Sequence, residues 1–220
     1  MKQTTQTRTG FSVHTIRELS KSTYVLRFDR NGLHYEPGQY VSVGPPNDIH
    51  MREYSVYSSP LDDYLEVLVK EVDDGYVSRR LRTLKPGDPV AVDGPFGFFT
   101  IDEDWQDHRY VFIATGTGIS PFHNFVRSYP KIDYRLLHGV RELSERHEYE
   151  TFERARYTAC ISRDTSGDFH GRVTDYLRRH PNDETARYYL CGNCDMIYEA
   201  FDILQDAGVP HNQLFAEVYF

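Results

Sequence analysis

Cysteine is scarce, with three in 220 residues. An odd, small number in a chain this long makes no disulfide framework, and a reducing cytoplasm is the plain expectation. Long apolar runs are missing as well. No stretch approaches membrane-spanning length, and the opening "MKQTTQTRTG" lacks the apolar core of a secretory signal. Basic charge is short: 25 Lys and Arg face 33 Asp and Glu, a net charge of −8 without any long acidic block. With no basic stripe, a nucleic-acid partner is not expected. The ten histidines show no ligand spacing, so no metal is assigned. Internal repeats and low-complexity tracts are absent too. Aromatics are plentiful, with 17 Tyr and 13 Phe, and the apolar content suffices for one large or two small cores.

What is present falls into two halves. In the first, short runs rich in Val, Tyr and Thr ("TYVLRF", "QYVSVG", "YSVYSS", "YLEVLVKEV", "DPVAVDG") sit between Pro, Gly, Asn and Asp breakers and read as strands. One helix, "GYVSRRLRTL", is expected among them. From Arg109 strands alternate with helices: "RYVFIAT", a Gly loop and helix, "YRLLHGV", a charged helical stretch, "RYTACIS", "VTDYLRR", "RYYLCG", "MIYEAFDILQDAG" and finally "QLFAEVYF". That alternation implies a parallel, doubly wound sheet. The expected architecture is an antiparallel β-barrel of Greek-key type over residues 1–105, then an α/β nucleotide domain over 106–220.

Several motifs carry chemistry. "ATGTGISPF" follows a buried-type strand and opens a helix, so Thr115, Gly116 and Gly118 form a candidate phosphate loop. Pro121 replaces the third glycine of the dinucleotide fingerprint, and a tight turn without ligand is the alternative. Near the end of the next strand Glu142 stands where a ribose-binding acid is expected, but Arg141 is beside it. "SRDTSGDFHGR" places Arg163 and Arg172 around a Gly-containing loop, where guanidinium forks suit a phosphate dianion. A solvated loop face is the alternative. "LCGNCDM" offers a C-x-x-C pair with three readings: a dithiol, a zinc half-site, or Cys191 alone lining a pocket beside Gly192. The third fits the topology best, with Cys194 and Cys160 as small buried residues. In the first half "REYSVYSSP" brings Arg52, Tyr54, Ser55 and Ser58 close together, and "DGYVSRRL" puts Gly75 and Ser78 at a helix start. Both are anion-competent, and alternation sends Arg52 and Tyr54 to one face and Ser55 to the other.

Taken together, these segments resemble the ferredoxin–NADP reductase family. "REYS" with the trailing Ser58 is similar to its flavin motif, "GYVS" to its G-x-x-S phosphate loop, and "PGQYV" and "GPFGFF" to barrel segments on either side. "GTGISP", "LHGVR", "SRD" with "GR", and "CGNCDM" resemble successive parts of its nucleotide domain, and "EVY" the plant-type chain end. Cys194 and the extra Phe220 depart from that pattern. Two anion sites, "REYS" and "GYVS", could hold a dinucleotide's pyrophosphate and favour FAD over FMN; the resemblance implies Arg52 on the flavin phosphate, Tyr54 over one ring face and Ser55 near the hydride-accepting nitrogen. It also implies Cys191 and Glu217 beside the nicotinamide, and Tyr219 or Phe220 on the other flavin face. The implied function is electron passage between NADP(H) and a separate one-electron carrier, ferredoxin or flavodoxin. A helix patch of Arg79, Arg80, Arg82 and Lys85 is a candidate docking face for it. A flavin reductase, a haem-protein reductase and a non-catalytic flavin-binding sensor are the alternatives.

Overall fold

Strand alternation builds the first half. The computed structural model describes residues 8–219, so Phe220 lies outside the described residues. The chain divides between Thr100 and Ile101 into two compact units. The first holds β1 (Arg8–Glu18), β2 (Thr23–Asp29), β3 (Tyr40–Gly44), β4 (Arg52–Ser55), β5 (Tyr64–Lys70) and β6 (Pro89–Phe96). They lie antiparallel in the order β4-β3-β6-β1-β2-β5, so β6 inserts between two earlier strands in Greek-key fashion. A bridge between Val56 and Val67, with the Tyr57 N–H donating to Glu66 O at 2.8 Å, joins the two edge strands and closes the barrel. Closure removes the open edges that would invite aggregation. Inside sit alternate residues such as Phe11, Val13, Leu26, Phe28, Val41 and Val67.

One strand differs from the sequence expectation, and the expected helix is present. β1 was not among the expected strands, yet it lies centrally, with a register shift between Val13 and Thr15. The expected barrel helix is α1 (Tyr76–Arg82), which sends Val77 and Leu81 into the core. It is pinned where the Tyr24 hydroxyl donates to Ser78 O at 2.5 Å.

The second unit holds β7 (Arg109–Thr115), α2 (Ser120–Ser128), β8 (Asp133–Val140), β9 (Tyr157–Ile161), β10 (Phe169–His170), α3 (Val173–Arg179), β11 (Arg187–Asn193), α4 (Cys194–Asp206) and β12 (Leu214–Tyr219). All six strands are parallel, in the order β10-β9-β8-β7-β11-β12. One face packs aliphatic side chains under α3 and α4. The other is aromatic: Phe112 stacks on Phe122 of α2 at 4.8 Å and on Tyr134 at 5.7 Å. The charged stretch after β8 does not form the expected helix. It runs as three short 3-10 turns, Leu143–Glu145, Tyr149–Thr151 and Arg154–Arg156. Glu148 takes φ 50°, a left-handed value no helix interior accommodates, and Phe152 is buried against Tyr157 instead.

Candidate functional site

The strand order reverses between β7 and β11, and ligands of open α/β sheets bind outside the carboxyl ends of strands at such a point. Here two loops interlock. After Thr115 the chain turns at Gly116 (φ 53°) into a 3-10 turn leading to α2. A Cβ on Gly118 would lie 2.3 Å from Cys191 O, and one on Gly192 (φ 127°) would lie 2.3 Å from Thr115 Oγ1. Only glycines allow backbones so close. Thr115 Oγ1 accepts the Asn193 N–H at 2.9 Å, closing the seam. Beneath the loop lies His138, with its ring between Gly116 O and the Tyr157 hydroxyl, each at 2.9 Å.

Parallel register then assembles the next group. Cys191 pairs with Glu217 and Asn193 with Tyr219. Period-two alternation therefore puts Cys191, Glu217 and Tyr219 on one face of the sheet. Cys191 is fully buried. Burial and the nearby Glu217 carboxylate push its thiol well above the ordinary range, while a side-chain hydrogen bond with Tyr219 opposes them. Such a thiol stays protonated and is a poor nucleophile. All three cysteines are free, which leaves no disulfide between Cys191 and Cys194. Cys160 is buried, and burial raises its thiol to about 12. Cys194 corrects the expectation: it is half-buried, because it opens α4 behind the Asn193 cap, whose side chain accepts the Met196 N–H at 3.1 Å.

Arg163 and Arg172 are both exposed. The Arg163 N–H donates to Arg141 O at 2.9 Å, which draws the ends of β8 and β9 together. Arg172 caps α3, and its N–H donates to Asp175 Oδ2 at 2.9 Å. Among the described residues none of Arg141, Arg163 and Arg172 has an ion pair. Arg141 entered the sequence reading only as the neighbour of Glu142. Its guanidinium is in fact the third exposed cation of this edge, and Glu142 merely precedes a 3-10 turn. Register between distant strands revealed it; spacing did not.

In the barrel, Arg52 is exposed on β4, and its guanidinium Nη1 donates to Met51 O at 2.9 Å. It has no ion pair among the described residues. Tyr54 is half-buried and packs on the core, and burial raises its hydroxyl to about 12. Ser55, at the end of the strand, is buried. Ser58 is fully buried and its hydroxyl accepts the Glu66 N–H at 3.0 Å, which makes it a brace for the barrel closure rather than an open contact. Gly75 precedes α1, and the Ser78 hydroxyl donates back to Gly75 O at 3.3 Å. An exposed, unpaired guanidinium two residues from an aromatic ring is a donor set suited to the phosphate and ring of a flavin nucleotide. The unpaired arginines of the other unit equally suit a phosphate-rich nucleotide. Both sets fit the groups that the sequence implied.

Comparison with known proteins decides the family. Residues 11–101 match the oxidoreductase FAD-binding domain and residues 112–201 the oxidoreductase NAD-binding domain. A ferredoxin–NADP reductase of Pseudomonas aeruginosa is 28% identical, over 90% of this chain and 89% of its own length. The chain belongs to the ferredoxin–NADP reductase family. It is thus an oxidoreductase with FAD and NAD(P) domains in series. Two further relatives, the toluate 1,2-dioxygenase electron transfer component of Pseudomonas putida and a flavohemoprotein of Halalkalibacterium halodurans, are each 29% identical. They match 94% and 84% of this chain, and the chain spans 66% and 52% of their lengths. The fold agrees with a ferredoxin NADP+ reductase from Neisseria gonorrhoeae solved with FAD and NADP. Its TM-score is 0.86 at 21% identity, covering 98% of this chain and all of that one.

Proposed function

We propose that this protein passes electrons between NADPH and a separate one-electron carrier protein, with FAD held mainly by the barrel unit. The observation that carries the reading is the single face bearing Cys191, Glu217 and Tyr219 beside the Thr115–Gly118 loop at the sheet's switch point. When bound, the flavin takes hydride as an electron pair and returns electrons singly. Arg52 would hold the flavin phosphate, and Tyr54 would cover one ring face. Ser55 would face the hydride-accepting nitrogen, and the Ser78 N–H in the first turn of α1 would serve the pyrophosphate, with Gly75, whose own N–H donates to Val72 O at 2.9 Å, making the tight turn before it. Tyr219 or Phe220 would cover the other face of the ring and move aside for the nicotinamide. Cys191 and Gly192 shape the slot that admits it, and Glu217 lines that slot. Arg163 and Arg172, joined by Arg141, read the extra phosphate that distinguishes NADP from NAD.

Ferredoxin or flavodoxin is the proposed carrier. The docking patch is narrower than the sequence suggested. Arg82 is taken by Glu18 and Glu71, and Arg79 Nη1 donates to Asp73 O at 2.8 Å, so Arg80 and Lys85 remain as its open cations. No helix among the described residues is long and apolar enough to cross a membrane. Three free thiols suit a reducing cytoplasm. The test is anaerobic spectroscopy of the flavin-loaded chain with NADPH and with NADH, followed by addition of oxidised ferredoxin or flavodoxin. Bleaching by NADPH ahead of NADH, then recovery with the carrier, is expected. Absence of bound flavin, or equal response to both nucleotides, overturns the reading.

A further inference from the structure

His138 takes no part in hydride or electron transfer, yet both its ring nitrogens are engaged. It is 1% exposed on β8, opposite Ala114 of β7 and Ala159 of β9. Nε2 lies 2.9 Å from Gly116 O, and Nδ1 lies 2.9 Å from the Tyr157 hydroxyl. A carbonyl oxygen only accepts, so Nε2 carries the hydrogen; Nδ1 then accepts, and the Tyr157 O–H donates. One neutral tautomer is therefore fixed. Burial supports it by lowering the imidazole to about 4.

The consequence lies in the loop above. A trans peptide is planar, with its C=O and N–H on opposite sides. Holding Gly116 O down against the His138 ring turns the Thr117 N–H away from β8. Thr117 lies in the first turn of the Gly116–Ile119 segment, where N–H groups have no intrahelical acceptor. Nothing lies within 4 Å of a Cβ built on Gly116, so glycine there serves the positive φ rather than a lack of room. We propose that His138 is a positioning residue for phosphate recognition. It pins the Gly116–Thr117 peptide so that the Thr117 N–H faces a phosphate of the bound pyridine nucleotide, and Tyr157 fixes the tautomer that does so. The proposal rests on the NADP(H) reading above.

The flavin-loaded full chain tests it with three variants. His138→Met removes the donor, His138→Gln keeps an N–H at the Nε2 end, and Tyr157→Phe removes the hydroxyl that fixes the tautomer. Long-range proton–nitrogen NMR of the wild type should show a single Nε2–H tautomer; an Nδ1–H tautomer overturns the proposal without reference to any nucleotide. Calorimetric titration with NADP+ and with ADP, which share the pyrophosphate, should show both weakened about tenfold in His138→Met, the scale of one lost hydrogen bond to a charged group. His138→Gln should recover most of that affinity. In turnover, His138→Met should raise KM for NADPH and NADH alike and leave kcat nearly unchanged. Wild-type affinity in folded His138→Met overturns the role of His138 alone. A wild type that binds neither ligand overturns the NADP(H) reading and this proposal's ligand with it. Should His138→Met fail to fold, Tyr157→Phe decides: weaker NADP+ binding at an unchanged melting temperature supports the proposal, and unchanged binding overturns it.

Discussion

The two edges of the parallel sheet carry the same residue type to opposite ends. At the amino edge, Arg109 bridges Asp133 and Asp183, Arg156 bridges Asp133 and Glu153, and Arg187 bridges Asp102 and Asp104. At the carboxyl edge, Arg141, Arg163 and Arg172 have no such partners among the described residues. Chain-wide charge hides this division. Residues 101–220 hold 13 basic and 20 acidic side chains, against 12 and 13 in residues 1–100, so the unit proposed to bind the more highly charged nucleotide is the more acidic one. Five of its acids, Asp102, Asp104, Asp133, Glu153 and Asp183, pair with arginines remote from the switch point. Local pairing, and not net charge, decides where an anion can bind.

The largest expected effect comes from removing two of the three carboxyl-edge cations together. Arg141→Ala with Arg163→Ala should weaken NADPH about 100-fold or more, from roughly tenfold for each charge-assisted contact, and NADH hardly at all. Equal losses for both nucleotides would erase the proposed division of labour.

Acid sharpens the contrast further, because the edges answer in different pH windows. His138 is held neutral to about 4, below its ordinary 6.5, by burial, with His147 and Arg146 adding to that, against the Gly116 hydrogen bond and Glu145. An unfolded chain takes up that proton first, so the stability from His138 is present above about pH 6.5 and is lost as pH falls toward 4. Over that window the loss amounts to roughly 3 kcal/mol at 1.36 kcal/mol per unit. Urea unfolding of His138→Gln should lack this slope. Asp104 and Asp183 at the amino edge are held below the ordinary carboxylate range, chiefly by hydrogen bonds from His108 and from Thr185 respectively. Their contribution should persist through that window and fade only as pH falls below the ordinary carboxylate pKa.

Much of this was legible in the sequence, for physical reasons that differ by element. "RYVFIAT" reads as a strand buried on both faces because a central parallel strand is apolar throughout. β1 escaped because its alternation, Phe11 and Val13 in with His14 out, is broken by the register shift just beyond Val13. The stretch between β8 and β9 misled because Glu and Arg favour helix in isolation, whereas Phe152 and Tyr157 anchor it by tertiary contact. At the site, Cys191, Glu217 and Tyr219 could be named through family resemblance, but their common face follows only from parallel register. His138 and Gly116 are 22 residues apart, and no spacing rule connects them.

Two smaller effects complete the comparison. Arg187→Ala should lower Tm by about 2–4 °C, the scale of one modest interaction in a chain of this size, and leave NADP+ affinity unchanged. Tyr219→Ser should tighten nucleotide binding by about 0.5–1.5 kcal/mol, the worth of an aromatic stack the nicotinamide no longer has to displace. It should also shift the flavin absorbance. Unaltered affinity and spectrum would leave Tyr219 as a strand end only.

Hydrogen exchange of the flavin-loaded protein with and without NADP+ tests the central claim most directly. Protection should appear in residues 115–119, 139–142, 161–164 and 191–193, at the carboxyl ends of β7, β8, β9 and β11, and leave the segments around Arg109, Asp133 and Arg187 unchanged. Protection centred on those amino-edge segments, or none at the carboxyl edge under saturating NADP+, would contradict it.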